Sequence, residues 1–251
     1  MKRFLTLLAR EVSHYFHQPL AYIVLFFFLL LTAANFHAGL VALNRGPGQT
    51  SVVEAFFNTV LFWFTFVLIF PLLTMRLFSE EYKLGTIETL MTAPVRDGQV
   101  VVAKFLGGFV FYLVLWAPSL LYFVLFRWLT GQSAADAFGS YLGAYAMLIL
   151  VGMFYLSIGC LASALTKNQI VAATIAFALI SLMFFLSLLS FIFLTASSTL
   201  RELTYYFSTI EHMAEFSRGL FDTRPVVFYL SMTLFTLFLT FHVFQYRRWK
   251  N

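Results

Sequence analysis

Charge is scarce in this sequence: Asp, Glu, Lys and Arg together supply 11% of its 251 residues. A soluble domain carries about 25%, so too little polar side chain is present here to cover a water-facing surface. Cysteine is rarer still. The lone Cys160 excludes a disulfide or a cysteine-based metal site within one chain. The usual short signatures of chemistry are missing too, with no H-E-x-x-H and no G-x-S-x-G. Gly46-Pro47-Gly48-Gln49-Thr50-Ser51 is glycine-rich but lacks the P-loop register and its lysine, so the chain is not expected to hydrolyse ATP by itself.

Apolar residues are what the sequence has: 61% are hydrophobic and 20% aromatic. Crossing a hydrocarbon core about 30 Å thick takes about 20 apolar residues in a helix. Six segments qualify: Leu20–Val41, Ala55–Met75, Val100–Phe126, Phe138–Leu165, Gln169–Thr195 and Val226–Tyr246. They are continuous rather than alternating, which predicts an all-α integral membrane protein and not a closed barrel. Pro118 predicts a kink in the third span. Gly107, Gly108, Gly152, Gly159 and Ser163 predict close backbone approach between helices. No Asp or Glu lies deep inside a span, which argues against an intramembrane protease or a buried carboxylate relay.

The formal net charge of +5 does not read as a nucleic-acid surface, because Lys and Arg gather at the ends of apolar runs. One side holds Lys2, Arg3, Arg10, Arg76, Lys83, Arg96, Lys104, Lys167, Arg247, Arg248 and Lys250; the other holds Arg45, Arg127, Arg201, Arg218 and Arg224. The positive-inside rule predicts the first side, with both termini, in the cytoplasm. The first apolar run is too long for an h-region and lacks a small-residue cleavage site, so it is read as a span, not a cleavable signal.

Three segments do not span. Residues 1–18 carry Phe4, Leu5, Leu8, Val12, Tyr15 and Phe16 as a helical stripe, with Lys2, Arg3, Arg10 and Glu11 on other faces. An interfacial helix and an ordinary packing helix explain this pattern equally well. Residues 76–99 hold the densest charge. Ser79 is expected to cap a short helix, Gly85 to close it, Thr86 to cap a second and Pro94 to stop that one. Such an elbow is shaped for docking, although a solvated loop is the alternative. In residues 196–225, Leu203, Tyr206, Phe207, Ile210, Met213, Phe216 and Leu220 predict one or two amphipathic helices on or in the outer leaflet. Glu211, His212 and Glu215 lie close together there and read as a solvated polar face in preference to a metal site.

Motifs spread along the chain carry a resemblance. They are Gln18-Pro19-Leu20-Ala21-Tyr22-Ile23, Met75-Arg76-Leu77-Phe78-Ser79-Glu80-Glu81, Gly85-Thr86-Ile87-Glu88-Thr89-Leu90 and Pro94-Val95. Leu165-Thr166-Lys167-Asn168-Gln169-Ile170-Val171-Ala172 and Ser217-Arg218-Gly219-Leu220-Phe221-Asp222-Thr223-Arg224 follow in the expected order. Together they resemble ABC-2 transporter permeases, most closely the gliding-motility-type group of bacteria. One position departs from the pattern: Pro225 follows Arg224 where an acidic residue is expected.

The resemblance implies a permease subunit in a bacterial inner membrane. It would pair with a second permease, identical or paralogous, and with two copies of a cytoplasmic ABC ATPase. ATP and Mg would be bound by that ATPase, and no cofactor by this chain. It further implies that Ser79, Glu80, Glu81, Gly85, Thr86, Glu88 and Leu90 form the ATPase-coupling element, with Lys167 and Asn168 as a second cytoplasmic contact. Arg218, Gly219, Asp222 and Arg224 would belong to an extracytoplasmic gate. Membrane lipids and an extracytoplasmic auxiliary protein are further expected partners, and nucleic acid is not. The function so implied is ATP-driven export or movement of a substrate. The alternative is a non-transporting complex that transmits force to an extracytoplasmic partner.

Overall fold

The computed structural model describes residues 2–45, 50–87, 96–131, 138–192 and 198–250. Their order is α1 (Lys2–His17), α2 (Pro19–Arg45), α3 (Val52–Asn58), α4 (Val60–Thr74), α5 (Ser79–Leu84), α6 (Asp97–Trp116) and α7 (Ser119–Thr130). Then come α8 (Phe138–Ala164), α9 (Gln169–Ile192), α10 (Ser198–Phe207), α11 (Thr209–Ser217) and α12 (Thr223–Lys250). Among the described residues there is no strand, and six helical segments are long and apolar enough to cross a membrane. The all-α membrane architecture follows.

One helix organises the bundle. In α8, 78% of the most apolar stretch is buried inside the protein, against 22% in α2, α9 and α12. Its neighbours are α3, α4, α6, α9, α11 and α12. Three glycines let them in. A Cβ at Gly143 would collide with the Phe216 carbonyl of α11, one at Gly152 with the Tyr112 ring of α6, and one at Gly159 with Thr74 of α4. Tyr112, lying over Gly152, donates its hydroxyl to the Leu148 carbonyl at 2.8 Å. A tyrosine can pack flat against backbone here because glycine leaves the space, as small residues do at membrane helix contacts. The outer faces of α2, α9 and α12 stay apolar and exposed, with Phe26, Phe177 and Phe235 among their large side chains, as suits lipid contact.

Two spans are broken. Pro118 lacks an amide hydrogen and divides the third span into α6 and α7, as expected. The expected second span, Ala55–Met75, holds a break that hydropathy does not predict, and the crossing segment begins after it at Val60. Thr59 is extended, and its hydroxyl accepts the Phe62 amide at the start of α4. The same hydroxyl donates to Asn35 of α2, whose amide nitrogen donates to the Phe56 carbonyl at 3.1 Å. This small polar knot pairs the Phe62 amide and the Phe56 carbonyl beside the break.

α1 packs along α6 and is part of the folded body. Its buried side includes Leu7 and Glu11. The placement of Glu11 on a face away from the packing stripe is thereby corrected. Tyr15 donates to the Leu73 carbonyl at 3.0 Å, and Gln18 accepts from Arg76 Nη1 at 3.2 Å. α1 is thus fastened to the end of the second span.

Candidate functional site

The short helix α5 and its surroundings collect most of the residues expected to act together. The chain leaves α4 through a turn at Met75–Phe78 and enters α5, which Gly85 closes with φ of 71°. That positive φ is a left-handed C-cap, the conformation glycine adopts without steric penalty. The expected N-cap is corrected. Phe78 occupies the cap position, and Ser79 is the first helical residue, its hydroxyl turned back onto the Met75 carbonyl. The free amides of Phe78 and Ser79 instead donate to Ser163 of α8, at 3.0 and 3.2 Å. A serine remote in sequence therefore caps the elbow. The sequence marked Ser163 only as a small packing residue.

Charge fixes the same element from its other side. Lys104 of α6 has 2% of its side chain exposed. Its Nζ lies 2.8 Å from Glu81 Oε1 and 3.2 Å from Glu11 Oε2. Arg10 adds contacts of 3.0 Å to Glu11 and 3.3 Å to Glu81. Lys104 also stands 5.5 Å from the centre of the Phe78 ring. Two cations and two carboxylates from α1, α5 and α6 thus form one closed cluster. A buried charge is tolerated only when paired in this way. Neither Glu11 nor Lys104 was expected at the site. The available signal was a lysine in the apolar face of a span, which demands an acidic partner.

Glu80 lies beside this cluster, and its Oε2 is buried without a hydrogen-bond partner among the described residues. Thr86 is exposed at the end of the elbow. Glu88 and Leu90, with the second helix expected to end at Pro94, lie outside the described residues.

The turn between α8 and α9 comes to the same end of the bundle. Asn168 Oδ1 accepts the Ile170 amide at 2.9 Å, and Thr166 accepts the Asn168 amide at 3.1 Å, which starts α9 cleanly. Lys167 lines a cleft of about 620 Å³ together with Tyr82, His242, Tyr246 and Arg247. Arg247 sits 4.6 Å from the centre of the Tyr82 ring and donates to the Leu165 carbonyl. α5, the 166–168 turn and the end of α12 are therefore neighbours.

At the opposite end, Arg218 Nε donates to Glu54 Oε1 at 2.6 Å, tying α11 to α3. Gly219 follows with φ of 83°, and a Cβ there would meet the backbone of Gly139 at 3.3 Å. Asp222 accepts the Arg224 amide at 2.9 Å and so caps the start of α12. Pro225 in that first turn needs no donor. Arg218 and Gly219 thus join α3 and α8, whereas Asp222 and Arg224 shape the entry to the last span.

His212 corrects an expectation. It does not lie on a solvated face: 2% of it is exposed, and Nδ1 lies 3.2 Å from the Tyr229 hydroxyl. Burial pushes its pKa down to about 4, with Asp222 opposing. Glu215 takes a hydrogen bond from Tyr205, whose own pKa is raised by burial and then by that carboxylate. Among the described residues, no group of three His, Cys, Asp or Glu stands close enough to hold a metal ion.

A family model described as ABC-2 family transporter protein matches residues 17–183 of the 251. The chain belongs to the ABC-2 transporter family. It is a multi-pass membrane protein and the permease component of an ABC transporter, a component whose family works with a separate ABC ATPase. The match covers α2 through most of α9, including the elbow, Lys104 and Ser163. A comparison with curated proteins gave no match.

Proposed function

We propose that the α5 elbow is the surface through which an ABC ATPase drives this permease. The supporting observation is the closed cluster of Arg10, Glu11, Glu81 and Lys104. An elbow held only by its own turn would yield when pushed. This one is bonded to α1 and α6 by buried charge and to α8 by Ser163, so displacement of α5 passes directly to three helices.

In this reading the elbow end is cytoplasmic, with both termini. Ser79, Glu80, Glu81, Gly85, Thr86, Glu88 and Leu90 form the coupling element, and Lys167 with Asn168 form a second contact. Two ATPase copies bind ATP and Mg, and two permeases, identical or paralogous, pair in a bacterial inner membrane. ATP-driven closure of the ATPases rocks the bundles and exports or moves a substrate, with the Arg218–Asp222–Arg224 corner as the outer gate. The motifs support the gliding-motility-type group as the nearest kin, a label that leaves substrate open. A second reading, force transmission to an extracytoplasmic partner, is favoured by the exposure of Tyr206, Phe207, Leu220 and Phe221 around that corner.

The test is a reconstituted complex carrying Glu80→Lys. Loss of substrate-stimulated ATPase turnover, with assembly intact, is the expected result. Unchanged turnover removes the elbow from the coupling path. Stimulated turnover with no solute or lipid moved selects force transmission.

A further inference from the structure

Between α1 and the elbow lies a cleft of about 600 Å³, within the range of roughly 300–1,000 Å³ typical of small-molecule sites. Its chemistry is divided. One part carries both signs of charge. Arg76 Nε, Glu80 Oε2 and Glu81 Oε2 are all buried, and none has a hydrogen-bond partner among the described residues. Lys104 and Arg10 are already engaged by Glu11 and by the other oxygen of Glu81. These leave one donor and two carboxylate acceptors unpaired.

The other part is apolar. Leu20, Ala21 and Val24 of α2 and Leu72 and Leu73 of α4 line it. Leu72 is 46% exposed. The cleft therefore joins a charged part to an apolar part that includes the exposed side of α4 at Leu72.

A buried polar group left unpaired is costly, because it gives up its hydrogen bonds to water and gains none in return. Three of them in one cleft, with both signs represented, fit a ligand that is itself zwitterionic. The apolar continuation fits a ligand with hydrocarbon chains. We propose that the cleft binds a zwitterionic phospholipid bearing a primary ammonium, of the phosphatidylethanolamine class. The phosphate accepts from Arg76, the ammonium donates to Glu80 and Glu81, and the acyl chains run along Leu20, Val24 and Leu72. A choline headgroup lacks the N–H donors that two carboxylate oxygens require. A glycerol headgroup lacks the cation. The proposal goes beyond the coupling role of the elbow and stands without it.

Native mass spectrometry of the delipidated full chain in detergent tests this directly. It would be titrated with phosphatidylethanolamine, phosphatidylcholine and phosphatidylglycerol of identical acyl chains. Half-saturation by the ethanolamine lipid is expected at a concentration about tenfold below that of either other lipid. Glu80→Gln should erase that advantage, and Arg76→Gln should weaken retention of all three. Glu80 is outside the ion cluster, so its variant should keep the elution profile and helicity of the parent. Equal retention of the three lipids by the unaltered chain overturns the proposal, whatever the variants do. Soluble O-phosphoethanolamine bound as tightly as the lipid overturns the membrane source. Loss of the lipid when a co-purified ATPase is present assigns the cleft to that protein instead. None of these readouts involves ATP turnover, so failure here and failure of the coupling role remain separate results.

Discussion

Lys104 and Glu81 meet 2.8 Å apart, the lysine 2% exposed and the glutamate 18%. Their helices, α6 and α5, join the elbow to a membrane span through a bond that solvent barely reaches. Salt should screen such a pair little.

Lys104→Met tests what this bond is worth. Methionine matches the lysine stem in bulk but leaves Glu11 and Glu81 facing only Arg10. Removing one partner of a buried charge cluster destabilises by about 3–5 kcal/mol. A clear fall in thermal midpoint in detergent is therefore expected. Adding Glu11→Gln and Glu81→Gln should recover part of it, because the stranded charges go too. A single variant that melts with the parent would show that the cluster contributes no stability.

Gly152→Ala and Gly159→Ala should each destabilise by about 1–3 kcal/mol, since the new methyl enters Tyr112 or Thr74 and something must shift. Gly98→Ala is the control: its nearest neighbour would be the Phe241 ring at 3.8 Å, an ordinary contact. The three melting curves of the purified proteins check the ranking. Equal curves would remove the close approach from the account of the core.

His212 predicts a pH dependence with a definite sign. Its folded pKa, about 4, lies below the ordinary value of 6.5 because burial disfavours the cation. The unfolded chain therefore takes up the proton first. The stabilisation is fully present above about pH 6.5 and is lost as pH falls toward 4, with a total on the order of 3 kcal/mol. The groups facing the ring are Tyr229, Tyr205 and Asp222. His212→Gln, which keeps a polar contact to Tyr229 without titrating, should flatten the midpoint-against-pH curve in that window. A slope identical to that of the parent would assign the loss to other groups.

The spans were legible because membrane crossing is a property of local composition. So was the left-handed end of α5 at Gly85, which needs only a residue without Cβ. The rest was written in distant pairings. Lys104 finds Glu11 across 93 positions, and Ser163 reaches the elbow across 85. No periodicity in either segment announces its partner. Thr59 was missed for another reason: a break inside an apolar run leaves hydropathy unchanged, and only the polar Asn35 on a neighbouring helix makes it affordable. His212 misled because Glu211, His212 and Glu215 look alike in polarity. In α11 the packing side also holds Met213 and Phe216, and His212 goes inward with them.

The notches along α8 bear on how the bundle can move. Gly143, Gly152 and Gly159 each receive a group from a different helix, and Ser163 holds the elbow. A slide of one turn, about 5.4 Å, would drive Tyr112 or Thr74 against residues that have side chains. α8 is therefore an axle with fixed teeth: neighbours can tilt about it, but they cannot travel along it.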